Sequence, residues 1–397
     1  MRLLYLNHYA GSPKHGMEFR PYYLAREWVR AGHEVRMVAA NFSHVRATQP
    51  REAAEVIDGI GYEWLPSPAY RGNGLGRVKN IWAYCSRLWR DADELAAWRP
   101  DAVIASSTYP MDIWPARRIA RKAGAKLVFE VHDLWPLSPI ELSGMSPQHP
   151  FARLCAWAEG TAYRDCDVCV SMLPKTHGYM ASRGLSLSKL CIVPNGISPE
   201  EWQGEPAPLR ADVAAALRGD GLVVGYAGSM GEPNALDTLL DAAALLQDAP
   251  LRFVLVGSGH LQEQLRARAA SLTKVRFLDP VPKAQIPALL AGFDIAYQGW
   301  QRQSLYRFGI APNKLMDYLM AGRAVLHSVE AGNDPVMESG CGLSVPPADA
   351  RAVADGLLKL AALSPAQRAE MGARGRAHVL AAHSYPVLAQ RFLDALR

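Results

Sequence analysis

The amino-acid sequence predicts an α/β protein of two parallel-sheet domains, and three observations carry that expectation. Short apolar runs rich in Val, Ile and Leu alternate with longer amphipathic stretches over nearly the whole chain. Such alternation fits strands of a parallel sheet connected by helices. The pattern breaks once, between Gly196 and Asp220, where Pro199, Pro206 and Pro208 stand among charges, and then restarts. At 397 residues the chain also exceeds what one core usually supports. The stretch after residue 195 is therefore read as an interdomain connection.

The first 40 or so residues predict one βαβ unit. Leu3-Leu4-Tyr5-Leu6 is a strand, and residues 10–17 form a loop with Gly11, Ser12 and Gly16. A helix follows from about Glu18 to Arg30, with Pro21 in its first turn and Gly32 just past its end. Val35 to Ala40 is the next strand, and Ala102–Ala105, Lys126–Val131, Val168–Val170 and Cys191–Val193 are further ones. In the second series the strands are Leu222–Gly228, Phe253–Gly257, Val275–Leu278, Ile295–Tyr297 and Ala324–Leu326. Helices are expected from about Ala235 to Leu246 and up to about Ala270. Ligands of such sheets bind at the C-terminal ends of the strands.

The most informative segment runs from Arg307-Phe308-Gly309-Ile310-Ala311-Pro312-Asn313-Lys314 to Asp317-Tyr318-Leu319-Met320-Ala321-Gly322. It predicts a loop running into a helix that opens near Pro312, since proline at the first helical position loses no bond. Gly322 suits the left-handed position that ends a helix. A helix start with free N–H groups, a lysine in its first turn and a carboxylate one turn later suits a nucleoside diphosphate. Lys314 would neutralise phosphate charge and Asp317 accept from ribose hydroxyls. An ordinary helical crossover with a chance lysine fits the same residues.

Hydrophobic residues make up 49% and charged residues 20%, as in soluble globular proteins. No apolar run approaches the ~18–20 residues of a membrane span. Met1 to Leu6 leads straight into a strand, so a cytoplasmic protein is expected. The six cysteines form no framework; Cys166 and Cys169 should point to opposite faces of a strand, as buried thiols. Residues 1–195 hold 24 Lys and Arg against 18 Asp and Glu, and residues 196–397 hold 19 against 20. The basic first half fits a phosphate-bearing partner or an anionic membrane surface, or simply dispersed surface arginines. The stretch from Arg77 to Trp98 sets Trp82, Tyr84, Trp89 and Trp98 among Arg77, Lys79, Arg87 and Arg90. A basic helix rich in tryptophan suits a membrane interface, yet Trp82 and Trp89 share a helical face that could equally be core. Nucleic acid is not expected, because the basic residues are scattered and no binding motif is present.

Several segments, in order, resemble the GT-B glycosyltransferases and specifically the large retaining family 4. They are His15-Gly16-Met17-Glu18, Ala31-Gly32-His33-Glu34-Val35, Phe129-Glu130-Val131-His132-Asp133-Leu134-Trp135-Pro136, Pro194-Asn195-Gly196, Gly225-Tyr226-Ala227-Gly228-Ser229, Val256-Gly257-Ser258-Gly259 and the 307–322 segment. The wording is similar to a bacterial branch of N-acetyl-L-fucosamine transferases of O-antigen synthesis, in which Pro-Asn-Lys-Leu and Asp-Leu-Trp-Pro recur. The resemblance implies two Rossmann-like domains with parallel sheets facing a central cleft. Residues 1–195, completed by a C-terminal helix over about 385–397, would bind the acceptor, and residues 196–384 the nucleotide-sugar donor. It implies transfer, with retention, from a UDP-sugar to a saccharide or polyprenyl-linked saccharide in surface polysaccharide or lipopolysaccharide synthesis. The sugar would be an N-acetylated deoxyhexosamine, and the protein could lie peripherally on the inner membrane. No metal ion and no cofactor are implied; the leaving phosphate itself would take the acceptor proton on the front face.

Carried onto this chain, the family pattern makes His132, Lys314 and Asp317 the expected catalytic group, with His132 contacting the donor sugar. Gly16, Asn195, Gly228, Ser229, Gly257, Gly259, Leu278, Pro312 and Asn313 are expected at the donor, with the backbone near Leu278 reading the base. Glu18 and Arg20 are expected at the acceptor. For several of these a plain alternative stands: a turn at Gly16, a structural histidine at 132, a helix-dipole role for Glu18. The chain also departs from the pattern. The first acid of the usual Glu-x7-Glu pair falls on Gly309, and the usual phosphate-facing arginine and lysine fall on Ser229 and about Asn234. Lys314, with Arg302 or Arg307, would have to supply the charge. The two Asp-x-Asp strings, Asp91-Ala92-Asp93 and Asp165-Cys166-Asp167, lie outside any Gly-rich loop and are not expected to hold a metal. Two other functions fit the same fold: a nucleotide-sugar epimerase or hydrolase, and a non-catalytic nucleotide-binding protein of the membrane surface.

Overall fold

The computed structural model describes residues 1–16, 19–72 and 74–397, Phe19 by its backbone alone. The chain divides into two compact units, Met1–Asn195 with Tyr385–Arg397, and Gly196–Ser384.

In the first unit the strands are β1 (Arg2–Leu6), β2 (Glu34–Ala40), β3 (Ala54–Ile57), β4 (Ile60–Leu65), β5 (Ala102–Ala105), β6 (Lys126–Val131), β7 (Val168–Ser171) and β8 (Leu190–Ile192). They form a sheet of order β3-β4-β2-β1-β5-β6-β7-β8, parallel except for the β3–β4 pair. Leu3 sits opposite both Val35 and Ala102, which puts β1 at the centre with side chains buried on both faces. The strand order reverses between β1 and β5, where open α/β sheets place their ligands. Helices α1 (Phe19–Arg30), α2 (Leu75–Arg90), α3 (Ile113–Ala123), α4 (Leu137–Ser143) and α5 (Pro150–Asp165) surround it. The β3–β4 hairpin was not among the predicted strands, although Asp58 and Gly59 both take positive φ, as a two-residue hairpin turn requires.

Residues 385–397 complete this unit. The C-terminal helix, Tyr385–Ala395, packs on α1 through Trp28, which is fully buried. The indole lies 5.0 Å from the Phe392 ring and 5.4 Å from that of Tyr5, and its Nε1 donates to the Ala389 carbonyl at 3.1 Å.

The second unit carries β9 (Leu222–Ala227), β10 (Leu251–Val256), β11 (Val275–Leu278), β12 (Ile295–Gly299), β13 (Ala324–Ser328) and β14 (Gly342–Val345) in the order β11-β10-β9-β12-β13-β14, all parallel. Here the reversal falls between β9 and β12. The stretch after Gly196 is not a bare connection. It holds a helix, Ala211–Leu217, and packs Val213 and Trp202 into the core of this unit. Helix α6 (Asn313–Met320) begins one residue later than predicted, with Pro312 as its extended cap rather than its first turn. Gly322 ends it at φ +65°, and the Arg323 N–H closes back on the Tyr318 carbonyl at 3.2 Å.

Cys166 caps the end of α5 instead of joining β7, so strand alternation does not separate it from Cys169; both thiols are buried. Trp28→Ala is expected to destabilise the first unit by about 3–5 kcal/mol in urea denaturation. A loss below ~1 kcal/mol would mean that the C-terminal helix is held by something other than this contact.

Candidate functional site

At the C-terminal ends of β1, β5 and β6 a polar cluster surrounds Glu130. Glu130 lies in β6 and His132 just past its end, with His132 Nε2 3.6 Å from Glu130 Oε2. The Glu130 carboxylate is fully buried. Its Oε1 accepts from Arg20 Nε at 3.0 Å and Nη2 at 2.8 Å, and its Oε2 accepts from Tyr5 at 2.5 Å and Ser106 at 2.6 Å. The Ser106 hydroxyl lies 2.9 Å from His132 Nε2, and Asn7 Nδ2 donates to the Ser106 carbonyl at 2.6 Å. Because the hydroxyl proton goes to Glu130, the serine oxygen is left to accept, which assigns a proton to His132 Nε2. Burial by itself would raise the Glu130 pKa. The Arg20 charge and the bonds from His132 and Ser106 outweigh it and hold the carboxyl well below the usual range.

Arg20, expected at the acceptor, is only 5% exposed, and its remaining donors reach the Val193 carbonyl at 2.7 Å and the Pro194 carbonyl at 2.5 Å. A guanidinium satisfied in this way clamps α1, β6 and the end of β8 together and has no fork left for a ligand. Glu18 lies outside the described residues. Gly16 takes φ +70° against Ala47, whose Cβ would be 3.1 Å from a side chain there. Asn195 follows the clamped Pro194 and is buried.

In the second unit the loops after β9 and β10 meet backbone to backbone. Gly228 N–H donates to Val256 at 2.9 Å and Met230 N–H to Ser258 at 2.8 Å. A Cβ on Gly257 would stand 1.8 Å from the Gly228 carbonyl oxygen, and one on Gly259 2.3 Å from that of Met230. Only glycine permits this approach. The Leu278 carbonyl accepts from Gly257 N–H at 3.1 Å, tying in the end of β11. These turns border a cleft of about 390 Å³ lined by Gly228, Ser229, Gly257, Ser258, Pro280 and Val281.

Lys314 comes to this loop from the first turn of α6. Its ammonium donates to Tyr226 Oη at 3.0 Å and to Asn234 Oδ1, and lies 4.9 Å from the centre of the Tyr226 ring. Tyr226 and Asn234 in turn donate to the Ser229 carbonyl at 2.5 and 2.9 Å. The position without a cation in the sequence, Asn234, is thus in contact with a cation from elsewhere. Lys314 has no carboxylate partner among the described residues, and burial lowers its pKa to about 7. Asp317, one turn on, is half-buried; burial raises its pKa to about 7 against the lowering charge of Lys283. Asn313 is exposed and Pro312 half-buried at the helix start.

The four acids of the Asp-x-Asp strings are engaged on the first unit. Asp91 pairs with Arg87, Asp93 with Lys122, Asp165 with Arg117 and Arg164, and Asp167 accepts from Leu127 N–H. Glu130, Ser106 and Tyr226 were not among the expected site residues. A lone carboxylate in the run Leu127-Val128-Phe129-Glu130-Val131 is the sequence signal for the first of them.

Residues 15–196 match the family model "Glycosyl transferase 4-like domain" and residues 221–362 match "Glycosyl transferases group 1". The "Putative colanic acid biosynthesis glycosyl transferase WcaI" of Escherichia coli K12 is 23% identical over 329 residues, 77% of this chain and 78% of that one. Among solved structures, sucrose-phosphate synthase of Thermosynechococcus elongatus superposes with a TM-score of 0.72 at 17% identity, covering 99% of this chain and 98% of the other. HepE of Anabaena, solved in complex with UDP-glucose, gives 0.67 at 14% identity, covering 100% and 99%.

Replacing Glu130 by Gln leaves Arg20 as an uncompensated buried cation and is expected to cost about 3–5 kcal/mol of stability. Since the folded carboxyl titrates below its ordinary 4.5, its contribution is complete above that pH and is lost as pH falls toward the folded value. Denaturation below pH 5 should therefore weaken the native protein more steeply than the Glu130→Gln variant; parallel acid limbs would contradict the assignment.

Proposed function

This chain belongs to the family 4 glycosyltransferases and has the GT-B fold, and from that premise we propose that it moves a sugar from a UDP-sugar to a saccharide or polyprenyl-linked saccharide, with retention and without a metal ion. The observation that carries the proposal is the ammonium of Lys314 held at the glycine loops after β9 and β10. Backbone N–H groups and a fixed cation are what a diphosphate leaving group needs as the glycosidic bond breaks. In this reading Gly228, Ser229, Gly257 and Gly259 form the diphosphate cradle, and Leu278 lies beside the base. Pro312 and Asn313 open the helix toward the phosphates, and Asp317 takes the ribose hydroxyls. In the first unit Gly16 and Asn195 are proposed as donor residues, and His132, oriented by Ser106 and Glu130, as the residue that takes the transferred sugar. The leaving phosphate accepts the proton of the acceptor hydroxyl, so no side chain serves as nucleophile.

The colanic acid role in the name of the E. coli relative supports surface polysaccharide or lipopolysaccharide synthesis as the setting, and the UDP-glucose of HepE supports uracil as the base. An N-acetylated deoxyhexosamine is the proposed sugar and O-antigen the proposed product class, with the protein peripheral on the inner membrane. No described helix is long and apolar enough to cross a membrane. Mass spectrometry of products from a nucleotide-sugar panel, run in excess EDTA, tests the reaction. Transfer should persist under chelation, and an altered free sugar nucleotide without acceptor would indicate an epimerase or hydrolase.

Lys314→Ala is expected to weaken UDP binding by about 1.5–3 kcal/mol, roughly ten- to a hundred-fold in Kd. Because burial holds this amine near pKa 7, diphosphate binding must return a proton to it above that pH. UDP affinity should be flat just below pH 7 and fall above it by up to about tenfold per unit. Calorimetry in two buffers of different ionisation heat should show proton uptake at pH 8 in the native protein and none in Lys314→Ala.

A further inference from the structure

The first unit exposes an apolar face that its fold does not use. On α2, Ile81, Tyr84 and Leu88 are buried, while Leu75, Val78, Trp82 and Trp89 form a second, outward stripe. Trp82 is 69% exposed and Trp157, on α5, 66%; with Trp89 these are the exposed tryptophans among the described residues. Together with Trp114 they line a groove of about 590 Å³ between α2, α3 and α5. A second groove of about 1030 Å³ lies on the other flank of α2, beside the exposed Leu142 of α4, and extends to Asp133, next in sequence to His132.

Two helices beside the first groove carry charge of one sign. Helices α2 and α3 carry four Lys or Arg each and no carboxylate. Arg87, Arg117 and Lys122 pair with acids of neighbouring elements. Lys79, Arg90, Arg118 and Arg121 have no carboxylate partner among the described residues, and the Arg118 guanidinium lies 4.8 Å from the centre of the Trp89 ring. A second copy of the chain would bring like charges together. A soluble glycan could stack on the indoles but would gain nothing from Leu75, Val78 and Leu142. Indoles, aliphatic side chains and free cations on one surface match the headgroup layer of an anionic bilayer.

We propose that this α2–α5 face docks the first unit on an anionic membrane, with the indoles at headgroup depth and the cations of α2 and α3 on lipid phosphates. The proposal rests on the transferase reading for its purpose alone, which is to bring a lipid-linked acceptor to the edge that carries His132. Flotation of the full chain with phosphatidylcholine vesicles, with and without one-third phosphatidylglycerol, tests it. Binding is expected only with the anionic lipid and should fall as salt is raised. Trp82→Ser with Trp157→Ser should lower the partition constant at least about tenfold, with UDP binding by calorimetry unchanged. Leu245→Ser, an exposed leucine of the second unit, should leave flotation unaltered. Equal binding to neutral vesicles, undiminished flotation of the double variant, or capture of soluble oligosaccharide without flotation would overturn the proposal. A protein that floats as expected but turns over no donor would overturn the transferase reading and leave this one standing.

Discussion

The first unit is organised around one carboxylate that cannot reach water. Glu130 sits in a strand flanked by apolar neighbours, and its charge is tolerated because Arg20, Tyr5 and Ser106 converge on it. Those partners come from α1, β1 and β5, and Arg20 extends the bond network to the end of β8. A buried ion pair of this kind adds little net stability over an apolar substitute, but it penalises any arrangement that separates its members. Its effect is therefore on geometry. It fixes how α1 enters, where the last strand of the sheet ends, and which nitrogen of His132 carries a proton.

The second unit reaches a comparable definition by different means. Its loops are set by steric exclusion, since the carbonyls of Gly228 and Met230 occupy the space that side chains on Gly257 and Gly259 would need. Its cation is left unneutralised. Arg20 is buried and Lys314 half-buried, and the first is paired with a carboxylate while the second meets only a phenol and an amide. The difference decides which of them can answer to an incoming anion. Burial without an anion nearby disfavours the charged form of a base, and an arriving anion restores it.

Strands that read as uninterrupted apolar runs were legible in the sequence, because burial on both faces demands that composition. So were the glycines that end α1 and α6. The β3–β4 hairpin escaped notice because β3 is only four residues long, with Glu55 facing inward and Val56 exposed, although Ile60, Tyr62 and Trp64 alternate regularly in β4 and Asp58-Gly59 marks the turn. The close approach of the glycine loops and the reach of Lys314 to them depend on backbone and local helix geometry, which motif order does record. Motif order does not record Arg20 in this way. Its burial depends on Glu130, 110 residues away, and pairing over such a separation leaves no local trace. The same holds for α2, where the spacing of Trp82 and Trp89 shows that they share a face and only the packing of Tyr84 and Leu88 shows that it is the outer one.

The contact between Lys314 and Asn234 has a consequence for how such a loop can vary. The ammonium arrives through the notch beside Gly228, where a Cβ would lie 2.9 Å from its Cε. A lysine at position 234 would set a second positive charge at the point the first already occupies, within hydrogen-bond distance and with no acid to relieve it. The loop therefore takes its cation from the helix 80 residues on, with the Asn234 amide as its acceptor. An exchange of Asn234 for lysine would call for a compensating change at Lys314, because the single step sets two ammonium groups in one pocket.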